Sequence, residues 1–241
     1  MNEPVDVATA ETVTFLTRHL APAAQLMEVG CGEGRVAQAL QRLGYGVVGI
    51  DADEEAVARA INRGSPVVKA SWPDFSSDLV DAVAFTRSLH HVGALQPAVR
   101  KARDTLKPNG KLLVEDFAFD AMDVATIRWF VELVRKQDLV SAEANHFFSD
   151  MIQSNDPAAI WQQHHQDHQV HSSQAMLACI SDEFSIEETA SVPYLYRYLI
   201  PVLPATRAAV KVVQRVLREE AEQARTGHVS LIGRRIVATV T

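Results

Sequence analysis

The sequence predicts an α/β fold in which a largely parallel sheet carries helices on both faces, and three observations predict it. Short apolar runs alternate with amphipathic stretches of helical period along most of the chain. The first such run, Leu26-Met27-Glu28-Val29, breaks at Gly30-Cys31-Gly32-Glu33-Gly34 and leads at once into Val36, Ala39, Leu40 and Leu43 at helix spacing. The next run, Val47-Val48-Gly49-Ile50, ends on a carboxylate, Asp51, as ligand-binding strands of such sheets often do.

Taken in order, Val13, Leu16 and Leu20 recur at helical intervals from Ala8 to Leu20, and Pro22 stops them, which predicts a helix ahead of the first strand. In the glycine run, one residue is needed for the sharp turn, one for close approach of a ligand to bare backbone and one for close packing of the helix on the sheet. Asp51, seventeen residues beyond Gly34, is placed to accept the hydroxyls of a nucleoside ribose. Glu28 discriminates among ligands: a negative charge beside the turn opposes a pyrophosphate and suits an ammonium or sulfonium group. Asp51 or Asp53 caps the helix that buries Val57, Ala60 and Ile61, and Asn62, Gly64 and Pro66 close it.

Strand three is expected at Pro66–Ala70 and strand four at Leu79–Phe85, followed by Thr86-Arg87-Ser88-Leu89-His90-His91-Val92 at the carboxyl end of the sheet. A helix with Val99, Ala102 and Leu106 on one face then leads through a Pro108-Asn109-Gly110 turn to strand five at Lys111–Phe117, which Glu115 and Asp116 finish. Those two carboxylates either face a substrate or sit in water. Residues 120–181 exceed a plain connection and predict a helical lid inserted in a single domain of residues 1–241. One of its helices carries Ile127, Trp129, Phe130, Leu133 and Val134; a second polar segment runs from Trp161 to His171. On a helix His164, His168 and His171 would share a face, open to three readings: a metal site, a substrate contact or base, or a solvated face. Strand six at Phe184–Val192, an amphipathic helix through Val210–Leu217 and strand seven at Ser230–Thr239 complete the chain. Tyr194, Tyr196, Arg197 and Tyr198 between them either line a pocket or pack.

Composition sets limits on function. With 241 residues and 47% hydrophobic composition the chain can bury one sizeable core. Its apolar runs are too short to span a bilayer, and the acidic start Met1–Asp6 does not fit a secretory signal, so a soluble cytoplasmic protein is expected. A formal charge of -7 argues against a broad nucleic-acid surface. The two cysteines, Cys31 and Cys179, have neither metal-type spacing nor a disulfide pattern, and Cys31 reads as a small filler within the turn.

Four motifs, Glu28–Gly34, Asp51, Phe85–His91 and Leu106-Lys107-Pro108-Asn109-Gly110, give the chain a resemblance to the class I S-adenosylmethionine-dependent methyltransferases, in particular the small bacterial enzymes of this type. The resemblance runs from about Leu26 to Phe117 and returns weakly at the C-terminus. It implies a Rossmann-like seven-stranded sheet, mostly parallel, whose last strand runs antiparallel between strands five and six. It implies S-adenosylmethionine as cofactor, with S-adenosylhomocysteine as product. Its cofactor-binding positions map onto Glu28, Gly30, Cys31, Gly32, Gly34, Asp51, Ala52, Ser71, Trp72 and Thr86. Ser71 departs from the family's acidic residue after strand three, so Asp74 is a second candidate acceptor, and Trp72 either lies along the purine or packs beneath the loop. The leading helix either covers the cofactor mouth or packs on the sheet.

Candidate catalytic bases are His90, His91 and His168, the loop pair having a structural hydrogen-bonding role as its alternative; no metal is assigned. The activity implied is methyl transfer to an O, N or C nucleophile of a small molecule, by a monomer or homodimer. The motifs of the amino-base, cytosine C5 and protein arginine methyltransferases are missing. The rival readings are an S-adenosylmethionine-binding regulatory or assembly protein without turnover and a nicotinamide-dependent oxidoreductase, the latter opposed by Glu28 and the G-x-G-x-G spacing.

Overall fold

The computed structural model describes residues 1–136, 146–168 and 170–240. In chain order the elements are α1 (Pro4–His19), β1 (Gln25–Val29), α2 (Arg35–Arg42), β2 (Gly46–Asp51), α3 (Glu54–Asn62), β3 (Val67–Lys69), β4 (Val80–Thr86), α4 (Leu95–Thr105) and β5 (Leu106–Phe117). There follow α5 (Val124–Lys136), α6 (His146–Gln153), α7 (Pro157–Asp167), α8 (Ser173–Glu183), β6 (Ser185–Val192), α9 (Arg207–Arg225) and β7 (Gly233–Thr239). These residues group into two compact units, one of Thr9–Asp116, His171–Ala190 and Arg234–Thr241, the other of Met1–Ala8, Phe117–Val170 and Ser191–Gly233.

The first unit is built on the sheet, a seven-stranded Rossmann-like array in the order β3-β2-β1-β4-β5-β7-β6, mostly parallel with antiparallel strands at the β7 end. Registers such as Val29↔Ile50, Val29↔Phe85 and Phe85↔Val114 bring the carboxyl ends of β1, β2, β4 and β5 level with one another. Successive strand residues point to opposite faces, and both faces are covered. Met27, Val83, Phe85 and Val114 pack with Val99, Ala102 and Ile180 on one side. Leu26, Ala82, Ala84 and Leu113 pack with Phe15, Leu16, Val36 and Leu40 on the other. This two-sided burial makes the strands read as unbroken apolar runs. Asp53 caps α3, accepting the Glu55 N–H at 2.9 Å and the Ala56 N–H at 3.2 Å.

Strand five departs from expectation. It starts at Leu106, directly after α4, and takes the predicted turn into itself: the pairing jumps from Val80↔Leu106 to Ala82↔Lys111, with Asn109 at φ 61°. The extra residues form an irregularity, tied down by Lys107 Nζ on Asp81 Oδ1 at 2.8 Å. The predicted insertion 120–181 is divided between the two units after Val170, and its residues 137–145 lie outside the described ones. In the sheet-bearing unit α8 lies against α4, where the buried Glu183 carboxylate accepts Gln96 Nε2 at 2.9 Å, Arg100 Nε at 3.1 Å and Arg103 Nη1.

The second unit is helical. Ile127, Phe130, Val134, Phe148, Met151, Trp161, Leu199 and Val213 form its core. Here Tyr194 stacks on Phe117 at 5.0 Å and Tyr198 meets Trp161 edge-on at 5.5 Å. Burial drives the Tyr198 hydroxyl well above its ordinary pKa. The stretch Tyr194–Tyr198 thus packs within this unit, with Arg197 over the rings of Tyr194 and Tyr196. Among the described residues no helix is long and apolar enough to cross a membrane.

Candidate active site

The glycine run distributes its tasks as the sequence suggested. β1 ends at Val29, and Gly30 turns at φ 68°, its N–H donating to Ile50 O at 2.8 Å. A Cβ there would lie 2.3 Å from Ser88 Cβ, because β4 delivers Ser88 against the turn and its hydroxyl donates to Val29 O at 2.5 Å. Gly32, at φ 53°, faces open space, and its N–H donates to Asp51 Oδ2 at 2.7 Å. A Cβ at Gly34 would stand 2.8 Å from Ser65 and Val67 side-chain atoms, so bare backbone is required where α2 begins.

Asp51 is the hinge of this arrangement. One oxygen receives Gly32, and the other accepts the Asp53 N–H at 2.9 Å. A carboxylate has about four acceptor positions, so capacity remains for a ligand. It lines a cavity of about 390 Å³ with Val29, Gly30, Ile50, Ala52, Ala70, Trp72, Arg87, Ser88, His91 and Val92. Trp72 resolves its two alternatives into one geometry: its indole N–H donates to Ala98 O at 3.0 Å and its ring meets Phe85 edge-on, while the side chain also borders the cavity.

Of the ten expected cofactor residues Gly30, Asp51, Ala52 and Trp72 border the cavity; Gly32 and Gly34 belong to the turn without bordering it, and Glu28, Thr86, Cys31 and Ser71 stand elsewhere. Glu28 is buried beneath the turn, accepts the Thr86 hydroxyl at 2.6 Å and leaves Oε2 without a hydrogen-bond partner among the described residues. Burial pushes its pKa up to about 7, so its charge is partial at neutral pH and it does not border the cavity. Thr86 is the buried partner of Glu28 and is likewise set back. Cys31 is buried under Gly49, and burial raises its thiol far from the reactive range, in keeping with a filler. Ser71 is exposed and outside the lining.

The three candidate bases separate. His91 borders the cavity. His90 is buried and turned to Asp116, with Nδ1 at 2.6 Å from Oδ1 and its backbone N–H on Oδ2 at 3.2 Å, and its ring centre lies 4.0 Å from that of His91. His171 clamps the same loop, donating its N–H to His90 O at 3.0 Å and holding Val92 O at 2.7 Å through Nε2. His168 is exposed at the end of α7, its Nδ1 at 2.7 Å from His164 O, and belongs to the helical unit. The proposed three-histidine face does not form, because α7 stops at Asp167 and His171 has left the helix. His164 stacks on Phe147 at 3.8 Å, with its pKa lowered by burial. Among the described residues no group of three or more His, Cys, Asp or Glu could hold a metal ion.

Glu115 and Asp116 answer to neither expectation, since both are buried and bonded within the protein. Asp116 holds His90. Glu115 accepts Thr12 Oγ1 at 2.5 Å and Arg235 Nε at 2.8 Å. Thr12, Phe15 and Leu16 thereby fix α1 against the sheet. Sequence reasoning missed Arg87 as a lining residue. Its place, one residue beyond β4, was the available signal.

Comparison with known proteins agrees with this architecture. Residues 27–114 match the family model described as "Methyltransferase domain". The chain is 31% identical over 102 residues to the mitochondrial ubiquinone biosynthesis O-methyltransferase of Mus musculus, covering 37% of this chain and 28% of that protein. It is 28% identical over 171 residues to the ubiquinone biosynthesis O-methyltransferase of Xanthomonas axonopodis pv. citri (strain 306), covering 65% and 69%. The match thus spans little more than a quarter of the first relative's length and about two thirds of the second's. In fold it is similar to geranyl diphosphate C-methyltransferase from Streptomyces coelicolor A3(2), with a TM-score of 0.59 at 17% identity over 96% of this chain and 76% of that one.

Proposed function

We propose, on the premise that this chain belongs to the class I S-adenosylmethionine-dependent methyltransferases, that it transfers a methyl group to a small-molecule acceptor and binds its cofactor in the cavity bordered by Asp51. The single observation that carries the reading is Asp51 itself. It is a carboxylate with spare acceptor capacity, locked by the Gly32 and Asp53 N–H groups at the mouth of the first crossover, beside backbone that no side chain covers. These residues fit a nucleoside: Asp51 would take the ribose hydroxyls, Ala52 and Trp72 would border the base, and Gly30 and Gly32 would let the ligand lie against the main chain.

Bound there, the cofactor supplies a methyl group already activated on a sulfonium. The protein's own contribution is then chiefly to hold an acceptor at attack distance and to keep water away. His91, the imidazole on the lining, is assigned the proton of a hydroxyl acceptor, and His90, fixed by Asp116, orients the loop that carries it. A hydroxyl acceptor is supported by the names of the Mus musculus and Xanthomonas relatives, which are O-methyltransferases of ubiquinone biosynthesis. His168 is not assigned a part in the transfer. A cytoplasmic location and a monomer or homodimer belong to the same proposal.

Calorimetric titration with S-adenosylhomocysteine tests it. The wild-type protein is expected to bind, and Asp51→Asn to bind at least tenfold more weakly, since charge-assisted hydrogen bonds contribute about 1.5–3 kcal/mol. No binding by the wild type, or undiminished binding by the variant, would overturn the proposal. Offering labelled S-adenosylmethionine with a metabolite extract separates turnover from the rival reading, which expects binding without transfer.

A further inference from the structure

We infer that the exposed face of α9 docks on an anionic lipid surface, an interaction independent of the methyl transfer proposed above. α9 is amphipathic: Val210, Val213 and Val216 are buried in the core of the helical unit, and Arg207, Lys211, Arg215, Arg218 and Arg225 are exposed. At 3.6 residues per turn those five side chains fall within an arc of about 80° and along about 27 Å of helix. They are all the cations that α9 carries.

The acids of the helix do not cancel them. Glu220 is buried, Glu219 lies about 40° outside the arc and 3.9 Å from Arg215, and Glu222 pairs with Arg225 at 2.7 Å. Arg207 Nε reaches Asn2 Oδ1 at 3.4 Å, while Lys211 and Arg218 have no acidic partner among the described residues. Helix stability does not account for the row either. Cations favour the last turn, where Arg225 stands, but Arg207 occupies the first turn, against the helix dipole. Like charges four residues apart, Arg207 with Lys211 and Lys211 with Arg215, repel and weaken the helix slightly.

On a chain of formal charge -7 this segregation leaves a cationic face that a polyanion complements. A lipid surface meets its demands. Anionic headgroups diffuse laterally and gather beneath a straight row of cations, whereas a folded acidic protein must match the spacing. Each Lys or Arg held close to such a surface strengthens binding about fivefold. The row has no aromatic side chain on which nucleic-acid bases would stack. Beside it Met1, 62% exposed with its Sδ 3.8 Å from Gln214 Nε2, offers an apolar side chain to the bilayer interface.

Co-sedimentation with vesicles is the test. In about 0.1 M salt the wild-type protein is expected to pellet with vesicles of equal parts phosphatidylglycerol and phosphatidylcholine, and to stay in solution with phosphatidylcholine alone. About 1 M salt, where the Debye length falls to about 3 Å, releases it. Lys211→Gln combined with Arg218→Gln lowers the partition coefficient roughly thirtyfold, and Lys211→Arg combined with Arg218→Lys keeps it within about twofold. No partition into either vesicle, equal partition into both, or undiminished partition of the double glutamine variant overturns the inference. So does retention on polyglutamate or DNA resin without binding to the anionic vesicles, which would give the row to an acidic protein or a nucleic acid. Melting curves of the variants confirm that folded proteins are being compared.

Discussion

Glu28 and Asp51 are carboxylates of one motif set with opposite surroundings. Asp51 meets the cavity and two backbone N–H groups, whereas Glu28 is enclosed and accepts the Thr86 hydroxyl. The expectation that Glu28 would select a cationic ligand by direct charge therefore transfers to the open lining. Glu28 has become a buried acid whose folded pKa, about 7, lies above its ordinary 4.5 because burial disfavours the anion. The sign follows: the neutral carboxyl's contribution to stability is fully present below pH 4.5 and is lost as pH rises towards 7. Glu28→Gln cannot ionise, so its melting temperature relative to wild type is expected to rise between pH 5 and pH 8, by the equivalent of about 3 kcal/mol. A constant difference across that range would show that Glu28 is not the group responsible.

Among the elements, the turn of 3₁₀ helix at Leu195–Val202 depends on a distant side chain. Glu220 of α9 is buried and accepts the N–H groups of Tyr194 at 2.7 Å and Leu195 at 2.9 Å, with Tyr196 also donating to it. It supplies, from another helix, the acceptor that a local cap would otherwise provide. Glu220→Ala leaves those buried donors unpaired and is expected to destabilise the protein by about 3 kcal/mol or more, read as a lower urea midpoint. An unchanged midpoint would mean that these groups find other partners. Periodicity foretold α9 but not this use of Glu220, because a run of Arg218-Glu219-Glu220 reads as a solvated face. Likewise Pro108-Asn109-Gly110 was legible as a turn, but its absorption into β5 depended on Val80 and Asp81 of the neighbouring strand.

For the whole chain, the two compact units divide the labour of folding. The cavity lining comes entirely from the unit of Thr9–Asp116, and the aromatic residues around Trp161 form the core of the other. Ligand binding stabilises what it binds: S-adenosylhomocysteine at a hundredfold excess over its Kd is expected to add about 2.7 kcal/mol, or several degrees in Tm. NAD at the same concentration is expected to leave the Tm unchanged, because Arg87 is the one permanent cation among the described lining residues and a pyrophosphate carries two negative charges. A larger shift with NAD would favour the oxidoreductase reading. Adding salt is expected to weaken the response only modestly, since Asp51 acts at hydrogen-bond range rather than through a diffuse field.

What the sequence by itself determined was the scaffold and the position of the carboxylate that borders the cavity: strand-turn-helix at Leu26–Leu43, Asp51 at the end of β2, and the order of alternating elements. These are local signals, set by side-chain periodicity and by the backbone freedom of glycine, and they survive without knowledge of neighbours. Only the tertiary structure decided which polar residues meet the cavity. Burial turned Glu28, Thr86 and His90 inward, the end of α7 at Asp167 dispersed the histidine face, and Thr12 and Arg235 engaged Glu115 inside the protein. Each of these outcomes depends on which groups from distant parts of the chain arrive first at a given hydrogen bond, and residue spacing carries no record of that competition.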